Sequence, residues 1–176
     1  MFRLALFASG SGTNVQNICE YFQNHNSIKP VIVLSDKEDA YALERAKHLN
    51  VKSEYFNYIT TSPEVLLEKI KDHKVTNIIL AGYLRLVPSK IIKTFKNKIL
   101  NIHPSLLPKF GGKGFYGHHV HKSVLESNEE ESGITIHLVN EKYDEGKILF
   151  QKSTPIFDND DVASLSSRIH NLEYKY

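Results

Sequence analysis

The chain has 176 residues, of which 41% are hydrophobic and 24% are charged, so it is long enough to bury a sizeable core as a soluble domain. A formal net charge of +2, with no block of like charges, argues against a charge-steered partner such as nucleic acid or a membrane. A single cysteine excludes an intramolecular disulfide, and no apolar run reaches the roughly eighteen residues of a membrane span, so we expect a cytoplasmic protein.

Short apolar runs alternate with segments of helical period through the first hundred residues. The predicted strands are residues 4–7, 30–34, 51–56, 77–81 and 99–102, and the predicted helices are residues 13–25, 40–49, 62 onward and 88 onward. Thr13 or Asn14 is expected to cap the first helix, and Ser62 before Pro63 to cap the third. The alternation predicts an α/β fold, a Rossmann-like and mostly parallel sheet with helices on both faces.

The last third of the chain has a different pattern. A glycine-rich loop at 111–117 precedes a predicted helix at 118–125. Residues 133–139 and 147–155 are predicted strands, and the connection between them has the length of a hairpin loop, so we expect antiparallel strands near the C-terminus. A final helix is predicted at 164–176. No repeat or linker interrupts the chain, so residues 1–176 are expected to form a single domain.

The segment SGSGTN, residues 9–14, directly follows the first predicted strand and opens a helix. Glycines allow a sharp turn and let backbone N–H groups approach an anion, and the helix N-terminus adds partial positive charge. The segment lacks the ending of a Walker A loop. Val15 stands where the dinucleotide fingerprint requires its third glycine, which argues against a nicotinamide oxidoreductase. The segment therefore predicts a phosphate site, with a tight turn that binds nothing as the alternative.

The segment NIHPSLLP, residues 101–108, places Asn101 and His103 two positions apart at the end of a predicted strand. Side chains with that spacing point to one side, at the edge of the sheet where α/β proteins bind ligands. An asparagine N–H can stabilise an oxyanion, and a histidine can exchange protons near neutral pH. The alternative is a turn asparagine beside a structural histidine. The acidic loop 140–146 is typical of a solvated turn, and its spacing alone does not bring Asp144 to His103.

These motifs resemble those of the folate-dependent formyl transferases, and most closely the phosphoribosylglycinamide formyltransferase family. NIHPSLLP at 101–108 matches the family signature almost letter for letter. AGYLRLV at 81–87 is similar to the segment that lines the family's pterin pocket. GITIHLV at 133–139, followed by DEG at 144–146, resembles the segment with the catalytic aspartate. The resemblance extends from residue 9 to the final helix, so it covers nearly the whole chain.

The resemblance implies that the formyl group of 10-formyltetrahydrofolate, a co-substrate, is transferred to glycinamide ribonucleotide in purine biosynthesis, without a metal. It implies a monomer or homodimer, with residues of about 1–100 forming the ribonucleotide-binding half and about 101–176 the folate and catalytic half. The implied catalytic residues are Asn101, His103 and Asp144. The implied ribonucleotide contacts are Ser11, Gly12, Thr13, Asn14 and Glu173. The implied folate contacts are Leu84, Arg85, Leu86, Val87, Asn101, Glu141 and Asp144.

The chain also departs from this pattern. Residues 56–60 lack the arginine that helps some relatives bind phosphate. Lys113 is a candidate to supply that positive charge instead. The bond before Pro108 is expected to be cis, as in relatives. His137 is expected either to line the site or to make only local hydrogen bonds, and Cys19 to be a buried, unreactive side chain.

Other functions share part of this evidence. Methionyl-tRNA formyltransferase and formyltetrahydrofolate hydrolase use the same three residue types, but normally carry a further domain for which this chain has no room. A non-catalytic nucleotide- or folate-binding module is disfavoured because the implied catalytic residues are intact. His118, His119 and His121 invite a metal site, but no carboxylate or cysteine lies at ligand spacing, so a surface helix is expected there.

Overall fold

The computed structural model describes residues 1–176, which form seven strands and six helices. The strands are β1 (Phe2–Ala8), β2 (Ile28–Ser35), β3 (Lys52–Tyr55), β4 (Asn77–Leu80), β5 (Ile99–His103), β6 (Glu131–Leu138) and β7 (Ile148–Pro155). The helices are α1 (Thr13–Tyr21), α2 (Tyr41–His48), α3 (Pro63–Asp72), α4 (Ser89–Thr94), α5 (His118–Glu126) and α6 (Val162–Lys175). The strands form one sheet in the order β3-β2-β1-β4-β5-β6-β7. The predicted α/β class, a mostly parallel sheet with flanking helices, is confirmed.

The chain divides into two compact units, and the first is Met1–Leu100. In this unit β1 pairs in parallel with β2 and β4, and β2 pairs in parallel with β3. β1 is buried from Leu4 onward, which explains why its sequence is a continuous apolar run rather than an alternating one. The helices α1 and α2 contribute Val15 and Ala46 to the same hydrophobic cluster as this strand.

The second unit is Asn101–Tyr176. β6 and β7 are antiparallel, with Glu131 opposite Pro155, so the predicted pairing of these strands is confirmed. β6 is largely buried, whereas β7 is largely exposed. Side chains of α5, β6 and α6 form one hydrophobic cluster: Val120, Val124, Ile134, Leu165 and Ile169. This packing anchors the hairpin whose connection carries Asp144.

The start of α1 differs from its prediction. The N-cap is Gly12, which adopts a left-handed φ of 74°, and no side chain caps the helix. The expectation that Thr13 or Asn14 would cap it is therefore wrong, because both already lie inside the first turn. The helix also ends at Tyr21, earlier than predicted. The left-handed glycine turns the chain from β1 into the helix without help from a capping side chain.

Two other helix starts show how side chains set the boundary. The Ser62 cap of α3 is confirmed, because its hydroxyl accepts a hydrogen bond of 3.3 Å from the N–H of Val65. α6 begins at Val162, slightly before the predicted start, because Asp161 and Ser164 form a capping box. None of the six helices combines the length and apolarity that crossing a membrane requires.

Candidate active site

Two elements of the second unit bring three polar side chains together. β5 presents Asn101 and His103 on one side, because they are two positions apart. Asp144, from the β6–β7 connection, reaches both of them. Its Oδ1 lies 3.3 Å from Asn101 Nδ2, and its Oδ2 lies 3.5 Å from His103 Nδ1. The structure thus assembles the three implied catalytic residues, whose roles stay a prediction.

The imidazole of His103 is held by the backbone and is only 3% exposed. Its Nε2 lies 2.8 Å from the carbonyl oxygen of Phe110. Because a carbonyl oxygen can only accept, Nε2 carries the proton. Burial lowers the pKa of His103 below its ordinary value, although the charge of Asp144 and the Phe110 carbonyl act to raise it. The resting imidazole is therefore neutral near pH 7 and directs the lone pair of Nδ1 toward Asp144.

The carboxylate of Asp144 is 11% exposed and is fixed from several sides. Its backbone has a left-handed φ of 56°, a conformation that aspartate adopts more readily than most residues. Oδ2 accepts a hydrogen bond of 2.9 Å from the N–H of Gly112. Burial raises the pKa of Asp144, but the contacts with His137 and His103 and the hydrogen bond from Gly112 lower it by more, so the net pKa lies below its ordinary value. The group is ionised at neutral pH.

His137 joins this cluster, although the implied set of site residues omits it. Its Nδ1 lies 2.9 Å from the carbonyl oxygen of Leu138, so Nδ1 carries a proton. Its Nε2 lies 3.1 Å from Asn101 Nδ2 and 3.5 Å from Asp144 Oδ1. The structure gives His137 both a local hydrogen bond and contacts with Asn101 and Asp144, and its role at the site stays a prediction. The alternation along 133–139, which puts it opposite its apolar neighbours, is the signal that suggested this position from the sequence.

Thr135, on β6, holds the loop that follows β5. Its buried hydroxyl donates to the carbonyl of Ser105 at 2.6 Å and accepts from the N–H of Leu107 at 3.0 Å. Gln151 Nε2 adds hydrogen bonds to Thr135 Oγ1 at 2.9 Å and to the Leu107 carbonyl at 3.0 Å. The peptide bond between Leu107 and Pro108 is cis, as predicted. These bonds hold the segment that leads on to the carbonyl partner of His103.

The cluster combines an amide, the neutral imidazole of His103, the imidazole of His137 and an ionised carboxylate. The amide N–H groups of Asn101 are donors for an oxygen on which negative charge develops. The Nδ1 lone pair of His103 can take up a proton, and Asp144 would stabilise the resulting imidazolium. The arrangement is therefore suited to acyl transfer between two bound reactants.

The loop between β1 and α1, in the first unit, carries the predicted phosphate contacts. Thr13 and Asn14 occupy the first turn of α1, so their backbone N–H groups have no partner within the helix. A Cβ on Gly12 would lie 2.5 Å from the Cβ of Ala42, so glycine is required by both space and φ. The buried Oδ1 of Asn14 lacks a hydrogen-bond partner, which leaves an acceptor for a ligand hydroxyl or amine. Together with the exposed Ser11, these features suit a phosphate ester, and the assignments stay predictions.

Arg85, a predicted folate contact, belongs to a network within the first unit. Its Nε donates to Oδ2 of Asp36 at 2.9 Å, and the Asp36 side chain is fully buried. Ser9 Oγ donates to Asp36 Oδ1 at 2.5 Å and accepts from the N–H of Leu84 at 3.0 Å. The guanidinium lies 5.4 Å from the ring centroid of Tyr58. The half-exposed guanidinium, the exposed Leu84 and the Tyr58 ring form a patch suited to an aromatic, anionic ligand.

The other predicted contacts have different degrees of exposure. Leu86 is half-buried and Val87 is buried, so Val87 offers a ligand little of its side chain. Glu141 is exposed on the β6–β7 connection. The Glu173 side chain, on α6, is 8% exposed and its Oε2 lies 4.0 Å from His170 Nε2. None of these positions decides the folate or ribonucleotide contacts, which stay predictions.

The histidines of α5 are not all on its surface. His118 and His119 are exposed, with ring centroids 4.3 Å apart. The expectation of a surface helix is wrong for His121, which is 2% exposed and has no hydrogen-bond partner for Nδ1. Burial lowers the pKa of His121 to about 4. No group of three or more histidine, cysteine or carboxylate side chains is arranged so that it could hold a metal ion. Cys19 is buried as expected, and burial raises its pKa to about 12.

Comparison with known proteins finds similarity to formyl transferases. A family described as formyl transferase matches residues 2–176. The chain is 39% identical over 180 residues to a chloroplastic phosphoribosylglycinamide formyltransferase of Arabidopsis thaliana, covering 98% of this chain and 62% of that protein. It is 35% identical over 181 residues to the phosphoribosylglycinamide formyltransferase of Haemophilus influenzae, covering 99% of this chain and 83% of that protein.

Solved structures agree with the sequence relatives. Glycinamide ribonucleotide transformylase 1 from Symbiobacterium toebii is similar with a TM-score of 0.90 and 35% identity, covering 99% of this chain and 83% of that one. The chain spans about three-fifths of the length of the plant relatives that it matches, 62% in Arabidopsis thaliana and 57% in Vigna unguiculata.

Proposed function

Because the chain belongs to the formyl transferase family, we propose that it transfers the formyl group of 10-formyltetrahydrofolate to the amine of glycinamide ribonucleotide. The product is formylglycinamide ribonucleotide, an intermediate of de novo purine biosynthesis. The observation that carries the proposal is the convergence of Asn101, His103 and Asp144 in one partly buried cluster. The names of the relatives support the choice of substrates. The low cysteine content favours action in the cytoplasm. We propose that the protein acts as a monomer or homodimer.

The first role belongs to Asn101. When the amine attacks the formyl carbon, negative charge develops on the formyl oxygen, and Asn101 Nδ2 donates a hydrogen bond to it. In the resting protein that nitrogen faces His137 at 3.1 Å and Asp144 at 3.3 Å. The bond to Asp144 is the longer one and is exchanged for the oxyanion. Losing one such donor typically costs about 2.7–4 kcal/mol of transition-state stabilisation.

The second role belongs to the pair of His103 and Asp144. Burial lowers the pKa of His103, so the resting protein starts with a neutral imidazole. His103 Nδ1 accepts the proton that the attacking amine releases, and Asp144 stabilises the resulting positive charge. The proton then passes to the folate nitrogen as its bond to the formyl carbon breaks. Holding both reactants together supplies the remaining advantage, because the encounter becomes local.

The test mixes the protein with 10-formyltetrahydrofolate and glycinamide ribonucleotide and follows the deformylated folate by absorbance. We expect turnover that depends on the ribonucleotide. Asp144→Asn and His103→Gln should each lower kcat/KM by roughly 100-fold or more, because each removes one part of the proton-accepting pair. Glu145→Gln, on the same connection and paired with Lys142, is the matched control and should keep wild-type turnover.

Each alternative function has its own outcome in this assay. Release of deformylated folate without any acceptor would mean that the protein is a formyltetrahydrofolate hydrolase and not a transferase. Turnover only with an aminoacylated tRNA would mean that the formyl acceptor is the tRNA and that the protein is a methionyl-tRNA formyltransferase. Near-normal turnover in the folded His103→Gln and Asp144→Asn variants would overturn the mechanism.

A further inference from the structure

The side chain of Arg45, on α2, lies beside the loop at residues 9–14. Its Nε donates a hydrogen bond of 2.8 Å to the carbonyl oxygen of Ser11. One of its terminal nitrogens donates to Oε1 of Gln16 on α1, and the guanidinium lies 4.8 Å from the ring centroid of Tyr41. None of these three partners carries a negative charge. The loop is therefore contacted by a cation whose charge these contacts leave uncompensated.

The amide of Gln16 is itself oriented for this contact. Its Nε2 donates to Oε1 of Glu20 at 2.7 Å, one turn further along α1. Because an amide has one donating and one accepting end, this bond turns its oxygen toward Arg45. The guanidinium is thus held between the loop backbone and a pre-oriented acceptor, which leaves it little freedom to leave the loop.

The same helix also fixes the direction of two loop peptides. The N–H of Ala42 donates to the carbonyl of Gly10 at 3.1 Å, and Arg45 donates to the carbonyl of Ser11. In a trans peptide the carbonyl of one residue and the N–H of the next point in opposite directions. The N–H groups of Ser11 and Gly12 therefore point away from α2. Together with the free amides at the start of α1, they make a donor set for an anion.

We propose that Arg45 is a positioning residue for a phosphate monoester bound at this loop. It holds the Ser11–Gly12 peptide with its N–H toward the phosphate, and it supplies the positive charge that residues 56–60 do not contain. The inference rests on the proposed function for the identity of the ester, glycinamide ribonucleotide. Arginine suits both tasks, because its planar fork bonds two acceptors at once and stays charged.

The first measurement is the affinity for inorganic phosphate, by calorimetry, in the full chain. Arg45→Gln should weaken phosphate binding by about tenfold or more. The affinity of Arg45→Lys should lie between those of the wild type and Arg45→Gln, because lysine keeps the positive charge but lacks the planar, paired donors of the guanidinium. The control is Lys47→Gln on the same helix, because Lys47 pairs with Glu44 at 2.6 Å and is largely exposed. Equal phosphate affinity in wild type and Arg45→Gln, or equal losses in Arg45→Gln and Lys47→Gln, would overturn the proposal.

A second measurement does not depend on any variant folding. In the wild-type protein, added inorganic phosphate should shift the backbone ¹⁵N–¹H resonances of Ser11 and Gly12, because their N–H groups face the anion. Unchanged resonances at saturating phosphate would overturn the proposal even if Arg45→Gln does not fold.

The kinetic signature separates positioning from a purely structural role. Arg45→Gln should raise KM for the ribonucleotide by the same factor as the loss of phosphate affinity, with kcat and KM for 10-formyltetrahydrofolate unchanged. A fall in kcat with unchanged KM would overturn the proposal. Phosphate binding that depends on Arg45 in a protein without turnover would refute the proposed function alone. Ribonucleotide-dependent turnover with KM insensitive to Arg45 would refute this inference alone.

Discussion

At the scale of single residues, the backbone decides where each site histidine carries its proton. The carbonyl of Phe110 faces Nε2 of His103, and the carbonyl of Leu138 faces Nδ1 of His137. Because carbonyls only accept, these two nitrogens carry protons, and the other nitrogen of each ring is the one near Asp144. Asp144 thus lies between two imidazole nitrogens, and protonation of either ring would place a positive charge beside its carboxylate.

The titration of His103 follows from this arrangement. We expect its pKa to lie below the ordinary value of about 6.5 in the folded protein, because burial disfavours the charged ring. Asp144→Asn should lower that pKa further, because the negative charge of Asp144 favours the imidazolium. The measurement is an NMR titration of the His103 ring in both proteins, with Glu145→Gln as the control. A higher midpoint in Asp144→Asn than in the wild type would contradict this account of the site.

At the scale of elements, the loop after β5 owes its shape to the neighbouring hairpin. The side chain of Thr135 on β6 bonds the backbone at Ser105 and Leu107, and Gln151 on β7 bonds both the Thr135 hydroxyl and Leu107. A loop with two prolines has few backbone donors of its own, so it depends on such side chains for its partners. The position of the His103 ring therefore depends on contacts made by β6 and β7.

Thr135→Val tests this dependence, because valine has nearly the same shape but no hydroxyl. The change leaves the Ser105 carbonyl and the Leu107 N–H without their buried partner, and each unsatisfied group costs about 1–3 kcal/mol. We expect a lower free energy of unfolding and a lower kcat. Denaturant unfolding and steady-state kinetics are the measurements. The half-buried Thr154 of β7 provides the matched control, Thr154→Val. Equal effects of the two substitutions would argue against a special role for Thr135.

At the scale of the whole molecule, the two units contain different parts of the proposed chemistry. The unit Met1–Leu100 contains the predicted phosphate loop, Arg45 and the Arg85 patch. The unit Asn101–Tyr176 contains the cluster of Asn101, His103 and Asp144, which is the proposed catalytic site, and several buried histidines. A buried neutral histidine makes the free energy of unfolding depend on pH in acid, because the unfolded chain binds a proton there that the folded chain does not bind.

His121 makes the largest such contribution that the structure identifies, because its pKa falls to about 4. Between pH 6.5, the ordinary value, and about 4, the unfolded state holds one more proton at this position than the folded state. The free energy of unfolding therefore falls with falling pH by about 1.4 kcal/mol per unit across this window. Below pH 4 the folded state also takes the proton, and this dependence ends.

His121→Leu and His121→Gln both remove the titrating group, so both should flatten the fall in stability between pH 6.5 and 4. They differ in polarity and packing, so their absolute stabilities should differ while their pH slopes agree. Urea unfolding at several pH values measures both quantities. A wild-type slope in both variants would mean that the acid sensitivity arises at other groups.

The sequence by itself predicted the elements whose signals are local. Three such signals are the apolar run of β1, the alternation along β6 and the Ser62 cap of α3. Each depends only on residues close together in the chain, so each could be recognised in the sequence. The cap of α1 was predicted wrongly because Gly12 turns the chain by its backbone alone, where a capping side chain was expected. The buried position of His121 was missed because the helix surface that α5 buries depends on its tertiary partners.

The site divides in the same way. The spacing of Asn101 and His103 predicted that both lie on one side of a strand, and the glycines at residues 10 and 12 indicated an anion loop. Only the tertiary structure decided that Asp144 reaches Asn101 across 43 positions and that Arg45 reaches Ser11 across 34. Periodicity records which residues share a face with their neighbours. Contacts between distant segments depend on strand order, loop conformation and burial, which arise only when the whole chain packs.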